Sequence, residues 1–439
     1  MAKRSTTAAA TPSGLRIVPD MPICQQDLPL DWYQPEFRPY AEEYLALPDR
    51  LPGTVLPWMD SYVRPALERF GASLELLAHY YMGGEIVKLV ERYGGRIADS
   101  YELALRTRER PEAEIFVESA VHFMAESIAI LAGDRQTVWI TNPKSGCTME
   151  MMAKEWMVQP TFDTLRERFG DELCVVAYMN TSGRVKALAG QTGGAVCTSS
   201  NARLVVRWAL AQGKRVFFVP DRHLGENVAR QAGVPDDGIF VWERGNGAAP
   251  RAPADPAKLD RAKMILWGGF CGVHTVFRPE HVDHWKRAGY RVLVHPECPR
   301  DVVDRADGAG STKYLWSEIM KAPTGSRIAV ATEGHFVRNA REQGALRGVE
   351  VVNLADVPGA GSMGCGCATM SRNDPPHLVA IVDLLRQGKA PDLNRVLPGD
   401  VVNEATGARE RLEDTERAAL VRDARASLER MIEITRSNA

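Results

Sequence analysis

Three stretches of the chain share one pattern of apolar and polar positions. They read LLAHYYMGGEIVKLVERYGG from Leu76, VVAYMNTSGRVKALAGQTGG from Val175 and VLVHPECPRDVVDRADGAGS from Val292. Each begins with a short β-prone apolar run, passes through polar residues into a helical spacing, and ends at or near glycine, a common helix stop. The pattern predicts a strand, a loop and a helix in each stretch, repeated at intervals of roughly one hundred residues.

Later apolar runs predict the second strands of the same units. They read TVWITNP from residue 137, RVFFVPD from residue 215 and RIAVATE from residue 327. Strands that alternate with helices favour parallel sheets with helices packed on their faces. We therefore predict an α/β protein with three three-layer α/β/α domains, related by a pseudo-threefold axis and arranged around a central cavity.

The same patterns divide the 439 residues into five regions. These are an N-terminal extension at 1–60, α/β domains at 61–165, 166–275 and 276–374, and a C-terminal helical segment at 375–439. A Pro/Ala/Gly-rich stretch at 243–258 predicts a mobile surface insertion in the second domain. The mixed-charge spacing near the C-terminus predicts a packing helix.

The net charge and the distribution of apolar residues argue against nucleic-acid and membrane partners. The net charge of −2 provides no basic surplus for nucleic acid or an anionic membrane. No apolar run approaches the roughly 20 residues that a bilayer span requires. The start, MAKRSTTAAATPSG, lacks the apolar core of a secretory signal. We expect a cytoplasmic protein with neither a nucleic-acid nor a membrane partner.

Polar side chains follow the first predicted strand of each unit. They are His79, Tyr81, Tyr178, Asn180, His295 and Glu297. In parallel sheets the loops at the carboxyl ends of the strands form the ligand crevice, so three such units around one axis would bring these side chains together. His295 and Glu297 can act as general acid and base. Alternatively, they cap a helix and lie in its first turn.

Hydroxyl side chains stand where loops enter predicted helices, at Ser100, Ser199, Ser311 and Thr312. Hydroxyls and free N–H groups at such positions bind phosphate or carboxylate. Plain N-capping is the alternative, since Ser and Thr commonly serve that purpose.

The chain has eight cysteines, at positions 24, 147, 174, 197, 271, 298, 365 and 367. In a chain predicted to be cytoplasmic they do not indicate a disulfide framework, and most are expected to be small buried hydrophobes. Cys147, Cys271 and the Cys365/Cys367 pair differ, because each lies in a glycine-containing loop late in its unit.

Three thiolates suit a closed zinc site poorly, because such a site needs four ligands. A cubane iron–sulfur cluster held by three thiolates keeps one iron open as a Lewis acid. His274 is either a contact near Cys271 or an ordinary loop histidine. A purely structural role for every loop cysteine stays open.

Eleven short motifs occur in one order between about residues 75 and 373. They are AHYYMGGE, IADSYEL, VHFMAES, VAYMNTSGRVKA, TSSNA, FVPDRHLGENVA, WGGFCGVH, HPEC, GST, TEGHF and CATM. In this combination the chain resembles the quinolinate synthase family. The resemblance implies a [4Fe–4S] cluster held by Cys147, Cys271 and Cys367, the last chosen by its Cys-x-x-Met spacing to Met370.

The resemblance also implies the reaction. Iminoaspartate condenses with dihydroxyacetone phosphate, and loss of phosphate and water gives quinolinate in de novo NAD biosynthesis. Supply of iminoaspartate by an aspartate-oxidising enzyme is a further expectation. The rival functions are another [4Fe–4S]-dependent dehydratase and a non-catalytic iron–sulfur regulator.

Family site residues fall on positions already singled out. The catalytic set is Tyr81, His295 and Glu297, and the substrate-binding set is His79, Ser100, Tyr178, Asn180, Ser199, His274, His295, Glu297, Ser311 and Thr312. Tyr80 and Met82 depart from the family's usual first loop.

Overall fold

A computed structural model describes residues 27–244, 252–358, 366–403 and 406–438. It contains three parallel sheets and one short antiparallel hairpin. The first sheet comprises β1 (Leu74–His79), β2 (Arg96–Ala98), β3 (Ile115–Ser119) and β4 (Thr137–Ile140). The second comprises β5 (Leu173–Tyr178), β6 (Ala195–Cys197), β7 (Arg215–Val219), β8 (Ile239–Trp242) and β9 (Met264–Trp267). The third comprises β10 (Arg291–Val294), β11 (Gly308–Ala309), β12 (Arg327–Ala331) and β13 (Glu350–Asn353), and the hairpin comprises β14 (Val401–Val402) and β15 (Arg409–Glu410).

Helices connect the parallel strands and cover the sheets. In the first half of the chain they are α1 (Arg38–Leu45), α2 (Pro52–Phe70), α3 (Gly84–Arg92), α4 (Ser100–Glu109), α5 (His122–Leu131), α6 (Thr148–Met151), α7 (Glu155–Phe169), α8 (Gly183–Gln191) and α9 (Ala202–Ala211). They continue as α10 (Arg222–Gln231), α11 (Pro256–Arg261), α12 (Pro279–Arg287), α13 (Arg300–Arg305), α14 (Thr312–Lys321), α15 (Gly334–Ala345), α16 (Pro375–Gln387) and α17 (Asp414–Arg436). No helix of the described ranges has the length and apolarity needed to cross a membrane.

The three sheets repeat one strand order. It is β2-β1-β3-β4 in the first sheet and β11-β10-β12-β13 in the third. The second sheet follows the same order as β6-β5-β7-β9 and adds β8 at its edge. In each sheet the first strand of the unit therefore lies centrally, and its carboxyl end points to the middle of one sheet edge. The predicted α/β class with parallel sheets is confirmed.

The first strands form because their residues are apolar on both faces. Every residue of β1 and of β5 is buried, as expected for a strand covered by helices on both sides. The helices that follow β1 and β5 end where the sequence predicted. Gly94 and Gly193 adopt φ values of 67° and 64°, in the left-handed region that glycine enters without strain.

The three later apolar runs are strands, but none is the second strand of its unit as predicted, and seven strands of the parallel sheets (β2, β3, β6, β8, β9, β11 and β13) were not predicted. The runs at 215 and 327 are the third strands β7 and β12, whereas the run at 137 is the fourth strand β4. The third strand of the first sheet is β3, whose sequence IFVES carries Glu118. The Glu118 side chain is fully buried. Because glutamate is polar, it interrupts the apolar run by which a buried strand is recognised in the sequence.

The terminal segments pack against each other and against the α/β units. The hydroxyl of Tyr40 in α1 donates to Asp383 of α16 at 2.7 Å. Helix α17 contacts α8 so closely that a Cβ at Gly190 would lie 2.0 Å from the carbonyl oxygen of Asp423. The packing role predicted for the C-terminal helix is confirmed.

Two of the predicted domain boundaries fall inside helices of the structure. The breaks at 60/61 and 165/166 fall inside α2 and α7, so a continuous helix crosses each of them. Within the predicted insertion, residues 256–258 begin α11, and residues 245–251 lie outside the described residues. The division into domains as such stays a prediction.

Candidate active site

A cavity with an empty volume of about 630 Å³ lies where the carboxyl ends of the three sheets meet. His79 ends β1, Tyr178 ends β5 and His295 directly follows β10, and all three side chains line it. The other predicted residues on its wall are Tyr81, Ser100, Cys147, Asn180, Ser199, Cys271, His274, Glu297, Thr312 and Cys367. Residues about 290 positions apart in sequence therefore share one buried space.

Ser311 is the predicted site residue that does not line the cavity. It is the N-cap of α14, and its hydroxyl accepts the N–H of Tyr314 at 3.3 Å. The next residue, Thr312, reaches the cavity instead. For Ser311 the structure therefore shows the N-capping role that the sequence left open.

Sequence reasoning missed part of the cavity wall. Asp99, the N-cap of α4, lines it and accepts a hydrogen bond from Ser200 at 2.7 Å. The apolar wall includes Phe123, Met149 and Met370. Apolar residues of this kind resemble any core residue in the sequence, so only the fold distinguishes them.

The Glu297 carboxylate lies at the centre of a buried network. The Tyr178 hydroxyl donates to Oε1 at 2.5 Å, and Nδ1 of His274 lies 2.7 Å from Oε2. Burial by itself raises the pKa of Glu297, but His295, His274 and these hydrogen bonds outweigh it and lower the pKa to about 2. Glu297 is therefore a carboxylate at neutral pH.

A chain of hydrogen bonds connects Tyr81 to this carboxylate. The Tyr81 hydroxyl lies 3.0 Å from Oγ1 of Thr332, which lies 3.2 Å from Nε2 of His274. In the neutral tautomer of His274 that donates its Nδ1–H to Glu297, Nε2 is an acceptor, and Tyr81 then donates to Thr332 and Thr332 to His274. Burial raises the pKa of Tyr81 well above its usual value and keeps its proton on. Thr332 directly follows β12, the same strand-end position that identified the other residues.

The imidazoles of His79 and His295 are neutral at physiological pH. Burial lowers the pKa values of His79 and His295 to about 3, and the nearby His274 and His79 lower that of His295 further. His295 stacks on His274 with ring centroids 4.4 Å apart and an angle of 18° between the ring planes. The neutral rings of His79 and His295 can each donate and accept hydrogen bonds toward a bound substrate.

The three predicted ligand cysteines approach the cavity from three loops. Cys147 is the N-cap of α6, Cys271 follows β9, and Cys367 precedes the short helix at Met370–Arg372. Burial raises the pKa of the Cys271 thiol, and Glu297, Cys147 and Cys367 are among the charges that raise it further. The thiols are thus close enough to influence one another. Cys365, the alternative third ligand, lies outside the described residues.

Cys174, Cys197 and Cys298 are buried in the core and do not line the cavity. All six cysteines of the described ranges are free. The sequence interpretation of most cysteines as small buried hydrophobes therefore holds for these three.

A second donor group adjoins the thiols. Ligand atoms of Cys271, His274 and Glu297 lie within 4.8 Å of one another and could hold a metal ion. However, two ligands on one tetrahedral zinc are roughly 3.3 Å apart, whereas Nδ1 of His274 and Oε2 of Glu297 are 2.7 Å apart. That distance indicates a hydrogen bond rather than a pair of ligands.

The two unusual first-loop residues do not line the cavity. Tyr80 stacks on Trp316 with centroids 5.6 Å apart. Met82 is buried, and its carbonyl oxygen accepts a hydrogen bond from Asn339 at 3.1 Å. Both residues therefore contact the third unit and do not line the cavity.

Comparison with known proteins identifies the family. The family described as quinolinate synthetase A protein matches residues 67–412. This chain belongs to that family. It is 37% identical to the quinolinate synthase of Geobacillus kaustophilus over 357 residues, which cover 81% of this chain and 92% of the relative. It is 33% identical to that of Corynebacterium glutamicum over 423 residues, 95% of this chain and 96% of the relative.

A third relative, the quinolinate synthase of Streptomyces coelicolor, is 37% identical over 80% of this chain and 87% of its own length. The predicted family and the prediction of an enzyme are confirmed. The two rival functions, a different cluster-dependent dehydratase and a non-catalytic regulator, gain no support.

The buried neutral histidines predict a pH dependence of stability. Between pH 6.5 and about 3 the unfolded chain binds a proton at His79 and at His295, whereas the folded chain does not. Stability therefore falls as the pH is lowered through this range, by about 1.4 kcal/mol per pH unit for each histidine. We predict that His79→Asn flattens the decline of the thermal midpoint below pH 6.5, relative to its slope above pH 7. An unchanged acid slope would contradict this.

Proposed function

We propose that this chain is a quinolinate synthase that condenses iminoaspartate with dihydroxyacetone phosphate in the central cavity, with loss of phosphate and water. One observation carries the proposal. The buried acid–base network around Glu297 and the thiols of Cys147, Cys271 and Cys367 share one cavity in a chain of this family.

The donor set of the cavity fits a [4Fe–4S] cluster held by three cysteines. The three thiols come from separate loops, and no fourth cysteine of the described ranges lines the cavity. When bound, such a cluster supplies an open iron that acts as a Lewis acid toward a substrate oxygen. Asn180 adjoins this position, since its side-chain nitrogen lies 3.9 Å from Sγ of Cys147.

We assign the anionic groups of the substrates to two helix N-termini. Ser100 and Thr312 are the first residues of α4 and α14, and both line the cavity. Their hydroxyls and the unpaired N–H groups of each first turn suit phosphate and carboxylate. We assign Ser199, Asn180 and the neutral His79 to the same task of holding and orienting substrate.

The hydrogen-bonded chain from Tyr81 to Glu297 provides a proton path. A proton that leaves the substrate at the Tyr81 oxygen is accepted as the Tyr81 proton moves to Thr332, the Thr332 proton to His274, and the Nδ1 proton of His274 to Glu297. The reverse order returns a proton to the substrate. Glu297 is thus the last acceptor of the path and holds the proton only in transit, and Tyr81 is the group that contacts the reacting atoms.

The surroundings exclude water from these steps. Val121, Phe123 and Met149 line the cavity beside the polar groups and are almost fully buried. An imine hydrolyses in water, so a dry site protects iminoaspartate. For the same reason we propose direct supply of iminoaspartate by an aspartate-oxidising enzyme. We place the reaction in the cytoplasm, in accord with the chain's composition.

The cluster proposal predicts the metal content. Protein purified without oxygen should contain about four iron atoms and four acid-labile sulfides per chain. Cys147→Ser, Cys271→Ser and Cys367→Ser should each lose most of this iron, because each removes one of three ligands. Iron and sulfide assays on folded protein measure this.

Cys365→Ser is the matched control, since it removes a thiol two residues from Cys367. It should keep the wild-type iron content. Loss of iron from Cys365→Ser with retention in Cys367→Ser would reverse the assignment of the third ligand, and zinc in the wild-type protein would contradict the cluster.

The proton path predicts the effect of substituting Thr332. Thr332→Val keeps the shape of the side chain but removes the hydroxyl that links Tyr81 to His274. We expect kcat to fall by about 10²-fold with little change in KM, as for loss of a general acid–base step. Thr332→Ser restores the hydroxyl and should recover most of the activity. Wild-type turnover by Thr332→Val would exclude the path.

A further inference from the structure

The second and third units each have a helix that is capped by a buried carboxylate. Helices α10 and α15 each follow the third strand of their sheet, and their N-caps are the carboxylates of Asp221 and Glu333. Asp221 accepts the N–H of Leu224 at 2.7 Å, and Glu333 accepts that of Phe336 at 3.0 Å. One oxygen of each carboxylate thus satisfies the first turn of a helix.

The other oxygen of each carboxylate binds the backbone of a cavity cysteine. Oδ2 of Asp221 accepts the N–H of Cys271 at 2.9 Å, and Oε1 of Glu333 accepts the N–H of Cys367 at 3.0 Å. The same Glu333 oxygen lies 3.0 Å from Nδ1 of His335. Both carboxyl side chains are 0% exposed. The second and third units therefore contain the same contact, in which an N-cap carboxyl group accepts the backbone N–H of a proposed cluster ligand.

The first unit lacks this contact. The equivalent N-cap of α5 is Val121, whose side chain offers no hydrogen-bond acceptor. Cys147 is instead itself the N-cap of α6. Helix capping alone does not explain the pattern, because a cap requires neither burial nor a cysteine N–H. In both units the second carboxyl oxygen accepts the N–H of the cavity cysteine, which is the feature that capping leaves unexplained.

This contact has consequences for an iron–sulfur cluster. Cluster reduction potentials depend on net charge and on hydrogen bonds to the sulfurs. A cysteine N–H that donates to a carboxylate is not available to stabilise added electron density on sulfur. Without that N–H···S bond the oxidised cluster is favoured, which lowers its reduction potential.

We propose that Asp221 and Glu333 are positioning residues that fix the backbones of Cys271 and Cys367 and keep the reduction potential of the cluster low. The inference rests on the proposed cluster. A low potential suits the proposed reaction, because condensation and dehydration need a Lewis acid and no electron transfer. The cluster then remains oxidised while substrate is bound.

The motifs PDRH and TEGH contain the signal for this contact. In each, a carboxylate follows the third strand by two residues and precedes a histidine by two residues. The family resemblance uses both motifs but gives neither acid a role.

The first test is a redox titration of Asp221→Asn, Glu333→Gln and the double variant, purified without oxygen and monitored by the electron paramagnetic resonance of the reduced cluster. Each amide replaces one acceptor oxygen of the carboxyl group with an NH2 group, which cannot accept the cysteine N–H. We expect each single variant to raise the ratio of reduced to oxidised cluster at a fixed potential about tenfold, which corresponds to 59 mV for one electron, and the double variant to raise it further.

Asp255→Asn is the matched control. Asp255 caps α11 by accepting the N–H of Lys258 at 2.8 Å, is exposed, and does not line the cavity. Its variant should keep the wild-type potential. The proposal is overturned if both single variants keep full iron content and the wild-type reduction potential. The two acids would then be helix caps only.

Apoprotein provides a second measurement for variants that retain too little cluster to titrate. Alkylation of each cysteine is followed by mass spectrometry in folded apoprotein, with Cys147 as the internal reference. Faster alkylation of Cys271 in Asp221→Asn, and of Cys367 in Glu333→Gln, supports the positioning role, and unchanged rates overturn it. Wild-type protein without iron refutes the proposed cofactor, while the alkylation rates still decide whether the acids position the cysteines.

Discussion

The ionised carboxylate of Glu297 is the group on which the rest of the cavity depends. A charge buried this deeply is stable only when donors surround it. The hydroxyl of Tyr178 comes from the end of the second sheet, His274 comes from the loop after that sheet, and Glu297 itself follows the first strand of the third. The second and third units must therefore dock correctly before the carboxylate can be satisfied, which joins assembly of the fold to assembly of the site.

The repeated strand order explains how one cavity collects chemistry from the whole chain. Each sheet presents the carboxyl end of its central strand to the cavity, and each unit adds one cysteine loop. The units then differ in detail. The second and third hold their cysteine backbones with Asp221 and Glu333, whereas Val121 occupies the equivalent place in the first. The strand order is common to all three units and belongs to the architecture. The acid that holds a cysteine backbone occurs in only two units and belongs to the site.

Much of this arrangement can be predicted from the sequence, because a strand-end residue such as His79 or Tyr178 is fixed by local pattern and parallel-sheet geometry. Other features depend on tertiary contacts. Strand β3 was missed because Glu118 breaks its apolar run, and one residue of helix phase decides that Ser311 caps α14 while Thr312 lines the cavity. The partners of Thr332, Asp221 and Glu333 lie 34 to 251 residues away in sequence, so no local signal names them.

Diffraction at the iron absorption edge, on crystals grown without oxygen, tests the central claim of three converging thiolates most directly. The account predicts one strong anomalous peak bounded by Sγ of Cys147, Cys271 and Cys367, with no fourth protein ligand. A weaker peak from a single metal ion between Cys271, His274 and Glu297 would contradict it, because the thiols would then not form a common site.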